Sequence, residues 1–479
     1  MAEPIETRLF INGKFVPSTS NGTFDLVSTK TGDHVAKVHD ATKEDVDLAV
    51  AAAKSAFPSW SSLSPAERGK PLARLAQLVL EAKDELAYLE ALSTGRPVST
   101  YFDAYYANTF FDYFAQAAYP QGESSMNTPG YMNLVLRQPF GVVAAITTWN
   151  VPVVYLAQRV APAVAAGNTI VLKSSEKAPL TSAKMAALIS QAGFPPGVIN
   201  ILSGRGECGS AIAHHMDIRV LSFVGSSRVG RAIQRASADS NLKNVIFELG
   251  GKSPAIIFED ADLEAAAKDT ENSINFLSGQ TCFANSRIYV QKSIADAFLA
   301  KYKQLAELRV DGDPTDPTIN YGPLADGAQS QVVEKYIKLG RETGKELTSV
   351  QSKSPEDNFF KPVIFLEQPE DAVVMKEEIF GPVVCINTFE TEAEAIAKAN
   401  DSELGLYAAV YTKDLDRAVR VSTMLEAGMV GVNCTSPTAK GMELPFGGYK
   451  GSGIGRVSML HSMDDFLETK SVFIKVAGI

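Results

Sequence analysis

From Gly141 onward the chain alternates short apolar runs with helical stretches, and this pattern constrains the fold more than any other feature. Gly141 to Thr147, Thr169 to Lys173, Val198 to Leu202, Val220 to Val224 and Asn244 to Glu248 each read as a buried strand. Strands apolar on both faces and joined by helices predict a parallel sheet covered on both sides, an architecture suited to nucleotides. After Gly250-Gly251 the alternation resumes with Pro254 to Phe258, Ile288 to Val290 and Val383 to Phe389, so a second α/β domain is predicted to begin near residue 250. Ahead of the first sheet, a strand pair is predicted around Leu9 to Gly13. A helical run is predicted from Ser64 to Ser93, opened by Pro65-Ala66 and closed by Gly95.

A chain of 479 residues is long enough for two or three domains and a cleft between them. Its 21% charged residues and net charge of −10 leave no basic stripe for polyphosphate, so nucleic acid is not an expected partner. The segment Met1 to Glu6 has neither a secretory nor a transit-peptide pattern. The most apolar stretch, Phe140 to Gly167, is interrupted by Asn150, two prolines, Gln158 and Arg159, which fits a buried strand and helix and not a membrane span. Cysteines at 208, 282, 385 and 434 form neither a disulfide framework nor a metal-ligand spacing, and the histidines at 34, 39, 214, 215 and 461 are scattered. A reducing, cytoplasmic setting and no metal are expected.

Gly204-Arg205-Gly206-Glu207-Cys208-Gly209 fits a dinucleotide fingerprint, but the acidic residue expected about 20 positions later is missing from Phe223 to Arg228. Gly225-Ser226-Ser227-Arg228-Val229-Gly230 lies directly between a strand and a helix, where free amides and the Ser226 hydroxyl make a better anion site. At the end of the Thr169 strand, Lys173 and Glu176 form a cation and carboxylate pair suited to two ribose hydroxyls, or simply a solvated pair.

Cys282 stands at the end of a helix-like segment among small and polar neighbours. A free cysteine is more often a small core residue than a nucleophile, and a cysteine–histidine pair has no support between residues 216 and 460, which contain no histidine. Glu248 ends a buried strand before two glycines, where desolvation raises a carboxyl's pKa towards that of a general base. Asn150 likewise follows a strand, and its amide is placed to donate to an oxyanion.

Four further matches give these residues a context. Phe247 to Pro254 (FELGGKSP), Gly279 to Arg287 (GQTCFANSR), Glu377 to Val383 (EEIFGPV) and Pro445 to Lys450 (PFGGYK) are similar to signatures of the NAD(P)-dependent aldehyde dehydrogenase superfamily, in its order. The resemblance covers essentially the whole chain. It implies Cys282 as nucleophile, Glu248 as general base, and Asn150 as partner of the Cys282 backbone N–H in the oxyanion hole. It implies NAD as cofactor, with Lys173 and Glu176 on the adenosine ribose, Gly225, Ser226 and Gly230 in the pyrophosphate loop, and Trp149 as a further cofactor-binding residue. Glu378 and Phe380 correspond to the grip on the nicotinamide half. Thr148 and Ser174 replace the usual prolines, which affects positioning and not chemistry. Glu176 disfavours the 2′-phosphate of NADP by like-charge repulsion.

The same resemblance implies an atypical Rossmann cofactor domain (1–120 and 139–249), a catalytic α/β domain (250–450) and a β oligomerisation arm (121–138 and 462–479). The strand-like segments Tyr131 to Arg137 and Lys470 to Val476 are apolar edges expected to pair with a neighbouring subunit, as homodimer or homotetramer. Val151, Tyr155, Gln158 and Phe283 correspond to tunnel-lining positions. Tyr106 and Phe110, one turn apart, are candidates for the tunnel mouth or for the core. No Arg or Lys falls among them, so a neutral, medium-sized aldehyde, aromatic or long aliphatic, is the expected substrate. A CoA-acylating dehydrogenase and a non-catalytic relative of the same fold are the alternatives; the ELGG run at 248 to 251 favours hydrolysis.

Overall fold

The computed structural model describes residues 5–116, 122–347, 358–435, 442–459 and 461–477. The five predicted strands form the middle of an eight-stranded sheet. Ile199–Ser203, Thr169–Ser174, Val142–Ile146, Val220–Val224 and Asn244–Glu248 lie side by side, all parallel, with registers such as Ile146 opposite Lys173 and Val224 opposite Glu248. Their apolar side chains enter two separate clusters, one on each face, which is why the strands lack a polar alternation. The hairpin Leu9–Ile11 and Lys14–Val16 extends one edge antiparallel to Ile199–Ser203. The other edge is closed by a strand the sequence pattern does not announce, Gly453–Ile454, which runs antiparallel to Asn244–Glu248. Two residues contribute backbone hydrogen bonds there but no periodicity.

The second sheet has seven strands in the order Lys345–Glu346, Val363–Leu366, Val383–Phe389, Asn285–Gln291, Ser253–Ile257, Tyr407–Tyr411, Met429–Val432. All neighbours are parallel except the first pair. The helical run from Ser64 is two helices, Pro65–Glu81 and Lys83–Thr94. Ser64 and Glu67 form a reciprocal capping box at its start, and Gly95, at φ 74°, ends it in the left-handed region. The break falls at Ala82, which leaves helical geometry (φ −90°, ψ 10°), and Ala82 carries no signal that sequence reading detects.

The segments Tyr131–Pro139 and Leu467–Lys475, expected to seek a neighbouring subunit, pair with each other over nine residues, from Leu467 opposite Pro139 to Lys475 opposite Tyr131. Glu123–Ser125 adds a third strand on the far side of Tyr131–Pro139. Residues 121, 478 and 479 of the expected arm lie outside the described residues. The helix Pro152–Ala165 is buried along its whole length, including Gln158 and Arg159, so these two polar side chains need internal partners. Among the described residues no helix is long and apolar enough to cross a membrane.

Candidate active site

The site is assembled at the C-terminal ends of the first sheet's parallel strands, where open α/β sheets place their ligands. Val142–Ile146 leads into Trp149 and Asn150, Val220–Val224 into Gly225 and Ser226, and Asn244–Glu248 ends on the carboxylate itself. Cys282 arrives from the other half of the chain. It does not end a helix: after Leu263–Asn275 the backbone turns through Leu277 and Ser278, both at positive φ (51° and 53°), and Gly279 at 77°. Only after this left-handed stretch does the chain reach Gln280 and the nucleophile.

Gln280 fastens that loop. Its carbonyl accepts from Asn150 Nδ2 at 3.0 Å, its own Nε2 donates to Leu277 O at 3.0 Å, and its Oε1 accepts from Ala325 N at 2.9 Å. Asn150 is thereby locked to the segment bearing Cys282, 130 positions away. An amide nitrogen carries two hydrogens, so one remains for an oxyanion after the Gln280 bond is made.

Glu248 is 2% exposed, and its Oε1 has no hydrogen-bond partner among the described residues. Burial pushes its pKa up to about 7, a rise partly opposed by the Cys282 thiol and by the charge of Arg159. The Cys282 thiol is held well above its ordinary value, by burial first and by the Glu248 carboxylate second. By donating to the carboxylate the thiol favours ionisation of Glu248, whereas the carboxylate opposes ionisation of the thiol, so the pair holds one proton between them.

The neighbourhood also fits a dinucleotide. Trp149, Asn150, Ser226, Glu248, Cys282 and Phe380 line one cavity of about 260 Å³. The helix Ser227–Asp239 starts at its rim, and its Ser226 cap uses the hydroxyl on its own Val229 amide. The hydroxyl accepts in that bond, so its own hydrogen remains for an anion beside the free amides of the first turn. Gly230 lets that helix close on the sheet: a Cβ there would lie 2.9 Å from Leu249 Cδ2. Glu378 Oε1 accepts from the Gly251 amide at 3.0 Å, and burial lifts its pKa to about 7. Phe380, at φ 56°, meets Trp149 edge to face at 5.6 Å, and Gln329 Nε2 holds the strained turn through the carbonyls of Ile379 and Phe380. Lys173 and Glu176 stand off from this cavity at the end of Thr169–Ser174. Lys173 Nζ donates to Ser174 O at 2.9 Å and lies 3.7 Å from Glu176, whose side chain is 45% exposed.

With this geometry in view, a family model for the aldehyde dehydrogenase family matches residues 15–472. The chain belongs to that family. It is 42% identical over 475 residues to an aldehyde dehydrogenase of Davidiella tassiana, covering 98% of this chain and 95% of that one. Among solved structures, a gamma-glutamyl-gamma-aminobutyraldehyde dehydrogenase from Burkholderia cenocepacia is 41% identical with a TM-score of 0.96, covering 99% of this chain and 97% of that one. An indole-3-acetaldehyde dehydrogenase from P. syringae, in complex with NAD+ and IAA, is 38% identical with the same TM-score, covering 99% and 98%. The protein is an oxidoreductase with an aldehyde dehydrogenase fold.

The remaining tunnel positions of this aldehyde dehydrogenase are distributed unevenly. Tyr155 borders the Cys282 cavity, whereas Val151, Gln158, Phe283, Tyr106 and Phe110 are not among its lining. Tyr106 and Phe110 stack at 5.1 Å within the apolar core, and Gln158 Nε2 donates to the Tyr106 hydroxyl. Val151 is half-buried at the start of the Pro152–Ala165 helix, and Phe283 packs against the rings of Tyr407 and Phe446. The Gly204 loop is a packed turn: a Cβ at Gly204 would sit 2.8 Å from that of Cys208, and Arg205 pairs with Asp40.

Sequence reading missed Arg159, treating it only as an interruption of an apolar run. Its buried guanidinium donates to Ser222 Oγ and Gln158 Oε1 and lies 5.4 Å from the Tyr155 ring centroid. A charged residue inside an otherwise fully buried helix was the available signal.

Proposed function

We propose that this enzyme uses NAD to oxidise an aldehyde to a carboxylic acid, through a thiohemiacetal and then a thioester on Cys282 that water hydrolyses. The reading is carried by one observation: Cys282, Glu248 and Asn150, from three distant segments, converge on one cavity that also meets a helix N-terminus suited to a pyrophosphate. Glu248 takes the thiol proton, and the Cys282 sulfur forms a bond to the aldehyde carbon. The alkoxide accepts hydrogen bonds from the spare Asn150 N–H and the Cys282 backbone N–H. Bound NAD supplies the hydride acceptor. Collapse of the alkoxide to a carbonyl expels the hydride and leaves the thioester; Glu248 gives up the thiol proton to solvent and then removes a proton from water as its oxygen attacks, the C–S bond breaks with the sulfur leaving as thiolate, and the acid leaves.

E248Q should release no more than one equivalent of NADH, more slowly than wild type, and then stall, while C282A should release none. Rapid steady turnover by E248Q in water, or an absolute need for CoA in the wild type, would refute the hydrolytic reading. The strand-end Glu176 supports NAD over NADP, and the absence of Lys or Arg from the cavity lining among the described residues supports neutral, medium-sized aldehydes. Of the two structural relatives, the indole-3-acetaldehyde dehydrogenase is named for an aldehyde of this neutral kind, whereas the γ-glutamyl compound named for the other carries a carboxylate. One assay with both cofactors and an aldehyde panel tests both; equal kcat/KM for NADP, or preference for an acidic semialdehyde, would reject them. We further propose a division into a cofactor domain (1–120 and 139–249), a catalytic domain (250–450) and an arm (121–138 and 462–479).

A further inference from the structure

The nucleophile of a thiol enzyme is the thiolate, and this pocket opposes a thiolate on every side but one. Sγ is buried, and the carboxyls of Glu248, at the end of its strand, and Glu378, on the loop before Phe380, both repel negative charge there. The spare Asn150 hydrogen and the Cys282 amide are directed to the alkoxide in the reading above, so neither serves the sulfur before attack. Among the described residues, the remaining charged or titratable groups facing it come from the Pro152–Ala165 helix: Tyr155 and, behind its ring, Arg159.

Tyr155 Oη lies 3.7 Å from Cys282 Sγ, within the range for a hydrogen bond to sulfur, and both atoms are buried. The phenol is held in place from behind. Arg159, four residues along the same helix, packs over its ring and is itself anchored on Ser222 and Gln158. Burial keeps the Tyr155 hydroxyl protonated far above neutral pH, so towards an ionised sulfur it acts as a donor only.

Resting on the assignment of Cys282 as nucleophile, we propose that Tyr155 is a catalytic residue whose hydroxyl donates a hydrogen bond to the Cys282 thiolate, forming it before attack and receiving it again when the thioester breaks. The thiol proton goes to Glu248; the phenol keeps its own. No atom or electron is needed beyond those in the reaction above.

The test is the pH dependence of Cys282 alkylation by iodoacetamide, followed by intact mass, in the wild type, Y155F and C282A, with NAD binding as a check on folding. Repeating it in E248Q and in E248Q/Y155F removes that carboxylate's titration from the comparison. A hydrogen bond to a charged acceptor is worth enough to move the midpoint by about one pH unit. Y155F should therefore react about tenfold more slowly near neutral pH, reach the same plateau at high pH, and lose kcat by a similar factor with an unchanged KM for NAD. Y155M, which also lacks the hydroxyl, should follow it and serves if Y155F fails to bind NAD. A wild-type midpoint in these variants overturns the proposal even if kcat falls, because the hydroxyl then acts elsewhere. C282A that is still alkylated and still turns over would overturn the nucleophile assignment instead, so the two failures are distinguishable.

Discussion

Burying Glu248 costs free energy whenever it is ionised, and the sign of that cost gives a test independent of catalysis. Its pKa is 4.5 when solvated and about 7 in the folded chain. Below about pH 4.5 both states hold the proton and the group contributes nothing. Between the two values the unfolded chain releases its proton first, so stability falls as pH rises, and above about 7 the penalty is constant. Its ceiling is roughly 3 kcal/mol from a shift of this size. E248Q should therefore be more stable than wild type at about pH 8 and indistinguishable near pH 4 to 5, measured by urea midpoints; a constant difference across that range would mean Glu248 is not held protonated by burial. This pKa shift was legible in outline, since a glutamate closing an apolar strand has few polar neighbours. The other buried ionic cluster was not. Arg96 Nη1 lies 2.8 Å from Glu90 Oε1 and 2.7 Å from Asp103 Oδ1, all three buried, and burial and Asp103 lift Glu90 to about 8. In sequence these are three ordinary charges near helix ends.

At the scale of elements, the parallel strands could be read because burial on both faces removes the alternation of half-exposed strands, leaving short unbroken apolar runs. The ends of those strands then located Asn150, Glu248 and the Gly225 turn. The cysteine loop could not be read the same way. Its conformation is set by Gln280 reaching Leu277 and Ala325 and by contact with the turn at Gly381, and none of this has a local pattern. Gly279 is the position where that conformation is most exposed to test. Its φ of 77° is left-handed, and a Cβ there would fall 2.0 Å from the carbonyl oxygen of Gly381. In G279A either the Cys282 loop or the Phe380 turn must shift. A displacement near 1 Å at a reacting group costs on the order of 100-fold in rate. We expect kcat in G279A to fall by about that factor, with stability reduced by about 1–3 kcal/mol from the strained backbone. Wild-type kcat would show that the loop's position is not set by this contact.

At the scale of the molecule, the two sheets meet at the site: Glu248 ends a strand of one, and Cys282 precedes Asn285–Gln291 of the other. The strand Gly453–Ile454 returns to the first sheet after the last strand of the second, so the halves are tied on both sides of the nucleophile. The small sheet of Glu123–Ser125, Tyr131–Pro139 and Leu467–Lys475 ends, among the described residues, in an uncovered edge. Pairing between the two long strands satisfies one side of Leu467–Lys475, while its other side is an edge nine residues long, with Phe473 73% exposed. A long, unbulged edge bearing an exposed aromatic side chain is normally covered. Another copy of the chain is the cover always present at matching concentration, and its edge is the same edge, so a two-fold arrangement closes the contact. Light scattering should therefore give a homodimer or homotetramer at micromolar concentration. F473K, which places a charge where that contact forms, should shift the population towards monomer while its urea midpoint, measured on dilute protein, stays close to wild type. A wild-type chain that remains monomeric at micromolar concentration, or an F473K chain with unchanged mass, would leave the arm without the role its exposed edge suggests.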